Sequence, residues 1–288
     1  MTMIADKLGI TIRIEDGLDL EKMAASGQCF RWIRIGHLHY AIPHREHLLE
    51  IRQIGEHHTG EHQFHLSCSE DEFRKTWRDY FDLDTDYNEI RSRVSAEEDE
   101  FLHRACQYGK GIRLLRQDPW EVLISFIISQ NRNIPAIKRS IEILCERAGT
   151  PIGTVNGETV YSFPAPLAIT GMRAEDLADC RLGYRDKYVT EAARAVACGQ
   201  IDLQGLAKAG VYECEECLTS IYGVGKKVAS CIMLYGLHQT DAFPVDVWVK
   251  RILENEYPDG YPFQRYTPCN GIYQQYMFDY YRRLQANT

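Results

Sequence analysis

What the chain lacks narrows it first. Its most apolar run, Val122 to Ile128, is seven residues long with Ser125 in its middle, far short of the ~20 apolar residues of a membrane-crossing helix. The opening residues MTMIADKLGI show no basic start, apolar stretch or small-residue cleavage site, so no secretory signal is expected and the expected compartment is the cytoplasm. Of ten cysteines only Cys214 and Cys217 stand close together. A chain this long buries a core without disulfides, and reduced thiols are expected. No second C-x-x-C pair completes a four-ligand metal set, and only Cys269 follows residue 246, which excludes a four-cysteine iron-sulfur loop near the C-terminus.

A basic excess is missing too. The net charge is -8, which taken alone argues against a polyanionic partner. The deficit is local, however: Glu61 to Glu100 holds thirteen acidic and five basic residues, the whole of the -8. Arg104 to Arg147 holds eight basic against four acidic residues, and Lys226 to Arg251 four against two. A positive face in the second half is compatible with the composition. His57, His58, His62 and His65 flank a glycine-containing turn and read as exposed sheet and turn residues rather than metal ligands.

What is present is two kinds of periodicity. Length predicts about two domains. Apolar residues alternate at Ile10, Ile12 and Ile14, through Phe30 to Ile35, His39 to Ile42, Leu48 to Ile51 and Phe64 to Leu66, with Gly36 and Thr59-Gly60 as turns, the pattern of an antiparallel sheet. After Ser67 the spacing becomes helical, beginning with Phe73, Trp77, Tyr80 and Phe81, and Ser95 to Glu98 reads as a capping box that opens a helix. Asp118-Pro119 and Asn133-Ile134-Pro135 are further helix starts, and helical patterns cover Tyr184 to Ala197, Val211 to Ile221, Lys226 to Leu237, Val247 to Glu254 and Ile272 to Leu284. The expected fold class is α+β: an N-terminal antiparallel sheet domain over 1–95, then a mainly α-helical domain over 96–288.

The chemistry concentrates in Leu218 to Ala229. A helix ending near Tyr222, a Gly223-Val224-Gly225 hairpin and a helix opening at Lys226 would present free backbone N–H groups at a helix N-terminus, where a phosphate is favoured. Read alone, such a G-x-G is better explained by a packing corner. Two features add to it: Lys227 at the helix start, and, nineteen residues on, Asp246 in Phe243-Pro-Val-Asp-Val-Trp248 as the N-cap of another helix. A part-buried lysine near other positive charge has its amine pKa pushed down, as a nucleophilic lysine requires.

Gly223 to Ala229 followed by Pro244-Val245-Asp246 resembles the helix-hairpin-helix, Gly/Pro-rich loop and aspartate signature of base-excision DNA glycosylases. The blocks Ser26 to Trp32, Gly111 to Pro119, Ser129 to Asn133, Leu182 to Arg185 and Gln274 to Phe278 extend the likeness to the 8-oxoguanine DNA glycosylase/lyase family. The resemblance implies that Lys227 attacks C1′ and forms a Schiff base, that Asp246 stabilises the cationic sugar, and that Lys226 is a phosphate contact or a solvated side chain beside Gly223 and Gly225. It implies that Gly27 offers a backbone carbonyl to N7 of the lesion, that Gln274 reads its Watson-Crick edge and that Phe278 and Cys231 sandwich its ring. Cys231 taken alone reads equally well as a buried apolar residue. Asn131, Tyr184 and Arg185 match the residues that fill the duplex gap and read the estranged cytosine.

Two positions depart from animal and fungal members: Ala136 stands where they carry a second cytosine-reading arginine, and Trp248 where they carry a histidine. A bacterial branch is the better match, and the demand for cytosine is expected to relax. The implied partner is duplex DNA containing 8-oxoguanine, handled by a monomer away from membranes without an organic or redox cofactor or an iron-sulfur cluster; the hairpin carbonyls are a candidate seat for a cation. Two other readings are a glycosylase of the same superfamily for another damaged base, and a non-catalytic helix-hairpin-helix module. The latter gives no role to Asp246 or to Gly27, Gln274 and Phe278.

Overall fold

The computed structural model describes residues 2–6, 8–54 and 63–286. The expected turn at Thr59-Gly60 and His57, His58 and His62 lie outside the described residues. The first part is a six-stranded antiparallel sheet in the order β1-β2-β6-β5-β4-β3. Its strands are β1 (Thr2–Asp6), β2 (Gly9–Arg13), β3 (Ile33–Gly36), β4 (His39–His44), β5 (His47–Ile54) and β6 (Gln63–Leu66). Strict alternation puts Ile10, Ile12, Leu49, Ile51, Phe64 and Leu66 inward, each at most 1% exposed.

The remainder is helical: α1 (Leu20–Ala25) between β2 and β3, then α2 (Glu70–Glu72), a π-helical turn (Phe73–Trp77), α3 (Arg78–Tyr80), α4 (Tyr87–Ser92), α5 (Glu100–Tyr108), α6 (Pro119–Ser129) and α7 (Ile134–Ala148). A hairpin of β7 (Pro151–Val155) and β8 (Glu158–Tyr161) follows. After it come α8 (Pro166–Thr170), α9 (Ala174–Asp179), α10 (Arg185–Ala197), α11 (Leu203–Leu206), α12 (Val211–Ser220), α13 (Lys226–Tyr235), α14 (Val247–Glu256), α15 (Phe263–Tyr266) and α16 (Asn270–Ala286). One apolar core joins sheet and helices, from Ile10 through Phe126 to Tyr281. Among the described residues no helix is long and apolar enough to cross a membrane.

The α+β class stands, with local corrections. Phe30 to Trp32 is not a strand: Phe30 packs edge-on against Phe126 at 5.5 Å and the Trp32 indole donates to the Tyr80 hydroxyl at 2.8 Å. Every side chain from Gln28 to Trp32 is buried, so no face of this segment is left to alternate. The box at Ser95 does not open α5. Asp99 caps it, accepting from Leu102 N–H at 2.9 Å, while Ser95 closes only a turn onto Glu97. The β7-β8 hairpin interrupts the helical half and packs Val155 and Val160 on Ala41. Strand β1 and helix α1 were not foreseen, and Tyr184 precedes α10 as its cap rather than opening it.

Arg113 ties the start of the chain to the helical part. Fully buried, it uses all five of its N–H donors: on the Asp16 carboxylate at 2.7 Å and on the carbonyls of Gly17, Phe81, Asp82 and Thr85. Arg113→Met takes one donor from that carboxylate, which keeps the Tyr87 N–H, and one from each of the four carbonyls. The stability measured by urea unfolding is expected to fall by about 3–5 kcal/mol, and Arg113→Lys should share most of the loss because an ammonium lacks the planar fork.

Candidate active site

The hairpin between α12 and α13 is built from both its glycines, for different reasons. Gly223 has φ +87°, and a Cβ there would lie 2.2 Å from Cγ of Tyr188, so the fold itself demands glycine. Gly225 caps α13 with φ -91°, which any residue adopts, and a Cβ there would meet nothing within 4 Å. No described residue requires that glycine. It leaves the first N–H groups of α13 open to a group approaching from outside. The Gln130 amide at the end of α6 donates to the Gly223 carbonyl at 3.0 Å and so fixes the hairpin against that helix. Of the carbonyls a cation would use, Gly223 O takes this bond and Ile221 O takes the Val224 N–H.

Lys227 lies one residue inside α13 and is exposed, not part-buried as expected. Its Nζ is 5.6 Å from the centre of the Phe126 ring, and its charge acts on the Cys231 thiol one turn on. Burial pushes that thiol up to about 11, against the pull of Lys227, so it is a neutral neighbour at physiological pH. Asp246 caps α14 through a single oxygen, Oδ1, which accepts from Trp248 and Val249 at 2.9 and 2.8 Å, and its charge reaches Cys231 and Tyr235 on α13. Lys227, Cys231 and Asp246 therefore share one neighbourhood. Lys226 is turned out, 88% exposed, with Glu215 at 3.5 Å.

The second cluster comes from the two ends of the chain. Gly27 has φ +79°, and its missing Cβ would sit 3.9 Å from Phe278 Cε1, so residues 251 apart in sequence meet. Gln274, one helical turn before Phe278 on α16, is buried, and its Oε1 finds no hydrogen-bond partner among the described residues. A buried amide oxygen left open is costly unless something arrives to use it. Two residues that sequence reasoning passed over hold this cluster. Gln28 Oε1 accepts from Leu115 N–H at 2.8 Å and its Nε2 donates to Arg113 O at 2.9 Å. Gln275 Nε2 donates to Ser26 O at 3.1 Å while its Oε1 accepts from Tyr235 at 3.0 Å, which joins α16, the Gly27 loop and α13. Their partners lie 40 to 249 residues away, and no local pattern signals them.

The third cluster is Asn131, Tyr184 and Arg185. Asn131, left-handed at φ +51°, donates to the exposed Tyr184 hydroxyl at 3.3 Å. Arg185 lies 4.4 Å from the Tyr184 ring. It is buried, donating to the carbonyls of Gln130 and Leu182, which leaves it fewer free donors than an exposed arginine would have.

A two-helix hairpin with a lysine at its second helix, a capping aspartate behind it and a sheet-borne loop closing on α16 defines a class. Residues 124–258 match the HhH-GPD superfamily of base-excision DNA repair proteins, and residues 10–123 match the N-terminal domain of 8-oxoguanine DNA glycosylase. The N-glycosylase/DNA lyase of Saccharomyces cerevisiae is 35% identical over 259 residues, 83% of this chain and 68% of that protein. A probable N-glycosylase/DNA lyase of Methanothermobacter thermautotrophicus is 34% identical over 70% of this chain and 73% of its own length. The crystal structure of the Clostridium acetobutylicum 8-oxoguanine glycosylase/lyase, with double-stranded DNA containing cytosine opposite 8-oxoguanine, superposes with a TM-score of 0.89 at 33% identity, over 99% of both chains. The chain belongs to the 8-oxoguanine-type N-glycosylase/DNA lyase family.

The two glycines give a paired test. Gly223→Ala should lower thermal stability, and affinity for duplex DNA with it. Gly225→Ala should leave the melting temperature unchanged and weaken duplex binding, measured by fluorescence anisotropy, several-fold; unchanged affinity would mean that no phosphate meets the α13 amides.

Proposed function

We propose that the protein excises 8-oxoguanine from duplex DNA and then cleaves the strand at the resulting site, with Lys227 as nucleophile. The observation that carries this reading is the placing of two adjacent lysines: Lys227 stands against Cys231 and the neighbourhood of Asp246, while Lys226 faces solvent and Glu215. The neutral Lys227 amine forms a bond to C1′ as the bond from C1′ to N9 breaks. The base leaves with that electron pair and takes up the proton the amine gives up. Opening of the sugar converts the adduct to a Schiff base. Loss of a C2′ proton then expels the 3′ phosphate, and water releases the lysine. The Asp246 carboxylate, with Oδ1 committed to the helix, has Oδ2 for the positive charge that develops at the sugar. No redox or organic cofactor is needed by any of these steps.

Selection of the lesion falls to the second cluster. The glycine at position 27 lets a base come close to its backbone carbonyl, which suits the N7–H donor of 8-oxoguanine and repels the N7 acceptor of guanine. The open oxygen of Gln274 suits the N–H donors on the same base, and Phe278 supplies a stacking face. Asn131, Tyr184 and Arg185 are the candidates to fill the gap left in the duplex, whose opening costs a few kcal/mol. Residues 1–95 thus bring the Gly27 loop and residues 96–288 the hairpin, in a monomer acting in the cytoplasm on chromosomal DNA. The relative from Clostridium acetobutylicum, crystallised with this lesion, supports 8-oxoguanine over another damaged base.

Borohydride added during reaction with an 8-oxoguanine duplex should trap a covalent complex through Lys227. Lys227→Gln should abolish trapping while DNA binding is kept, and Lys226→Gln should keep trapping. The reverse pattern would falsify the assignment.

A further inference from the structure

Two guanidiniums stand together at the turn between α6 and α7, and no carboxylate reaches either among the described residues. Arg185 is held by carbonyls, as described above. Arg132, half-buried, donates through Nη1 to the Ser140 hydroxyl at 2.9 Å, and Ser140 is itself only 1% exposed. Burial and the nearby Arg185 both lower the pKa of Arg132. Like charges without a counter-charge are unfavourable in the free protein, and a patch that tolerates them is matched to an acceptor-rich ligand. Ala136 and Ser140 lie one turn apart on the same face of α7, so Arg132 is tied to the helix face that carries the small Ala136. The patch continues into the exposed Asn131 and Tyr184.

We propose that Arg132 is a specificity-determining residue for the base left unpaired opposite the lesion, and that with Arg185 it selects cytosine. The inference rests on the reading of the protein as an 8-oxoguanine glycosylase. Among the four bases only cytosine presents two adjacent acceptors, N3 and O2, on its pairing edge. Thymine and guanine place an N–H at the central position, and adenine offers a single acceptor, N1, beside an amino group. Of the five N–H donors of Arg132, one is taken by Ser140, and the rest form a fork that fits two acceptors. The bond to Ser140 fixes the fork before DNA arrives, which lowers the ordering cost of the contact. The absence of an arginine at position 136 therefore does not relax the demand for cytosine.

Single-turnover excision of 8-oxoguanine opposite each of the four bases tests this with the full-length chain. The unmodified protein should prefer cytosine over adenine by at least tenfold, and Arg132→Met should reduce that ratio about tenfold. Arg132→Lys keeps the charge and loses the fork, so it should show a comparable reduction even if the methionine variant folds poorly; Ser140→Ala should show a smaller one. An unchanged ratio in both arginine variants overturns the proposal. So does an equal fall opposite all four bases, which would make Arg132 a phosphate contact. If the unmodified protein excises the lesion opposite none of them, the functional reading itself fails and this inference with it.

Discussion

The side chain of Gln28 is the joint on which the site depends. It is buried, and both ends of its amide bind the backbone of Arg113 and Leu115, while its own carbonyl accepts from Gln117 at 2.7 Å. These bonds close a loop of some eighty-five residues on itself. They fix the segment from Gln28 to Trp32 as a buried irregular stretch that forms no sheet ladder of its own. Because a buried amide left unpaired costs about 1–3 kcal/mol per group, the loop has one low-energy position. That position sets Gly27 against Phe278, and Gln275 ties the same loop to α13 through Tyr235.

Seen this way, the molecule divides the labour between fixed parts. Arg113, with every donor engaged, holds the floor under the loop. Phe126 gathers the walls: Phe30 packs on its edge, Tyr235 stacks on it at 5.4 Å and the Lys227 ammonium lies over its ring. The hairpin needs one glycine for its own turn and keeps the other for what approaches it. Among the described residues, the groups left open at the site are the Gln274 oxygen, the α13 amides and two guanidiniums that no carboxylate reaches.

Much of this was legible in the sequence because the chemistry is local there. Gly223 to Lys227 and Pro244 to Asp246 are short runs whose backbone requirements follow from residue type, and the cap at Asp246 was correctly placed. Strands β2 to β6 of the sheet were legible from period two, β1 was not, and Phe30 and Trp32 continue the alternation inside a segment buried on all sides. The cap at Asp99 was hidden by a better-looking box at Ser95, since local pattern cannot show that Asp99 also receives the hydroxyls of Tyr257 and Tyr266 from the far end of the chain. The roles of Gln28, Gln275 and Arg132 were illegible for the same reason: each depends on a partner set by the fold. The exposure of Lys227 was misjudged because a helix start near other charges says nothing about what packs above it.

Reading the base and attacking the sugar fall to separate parts: Gln28 fixes the loop that reads, and Gln275 ties that loop to α13. Gln28→Met separates them, and the measurement is a pair of rates on the same variant: excision from an 8-oxoguanine duplex, and borohydride trapping on a duplex carrying a bare abasic site, where there is no base to read. Excision should fall at least tenfold while trapping stays within a few-fold of the unmodified protein. Equal losses in both, or none in either, would contradict the account.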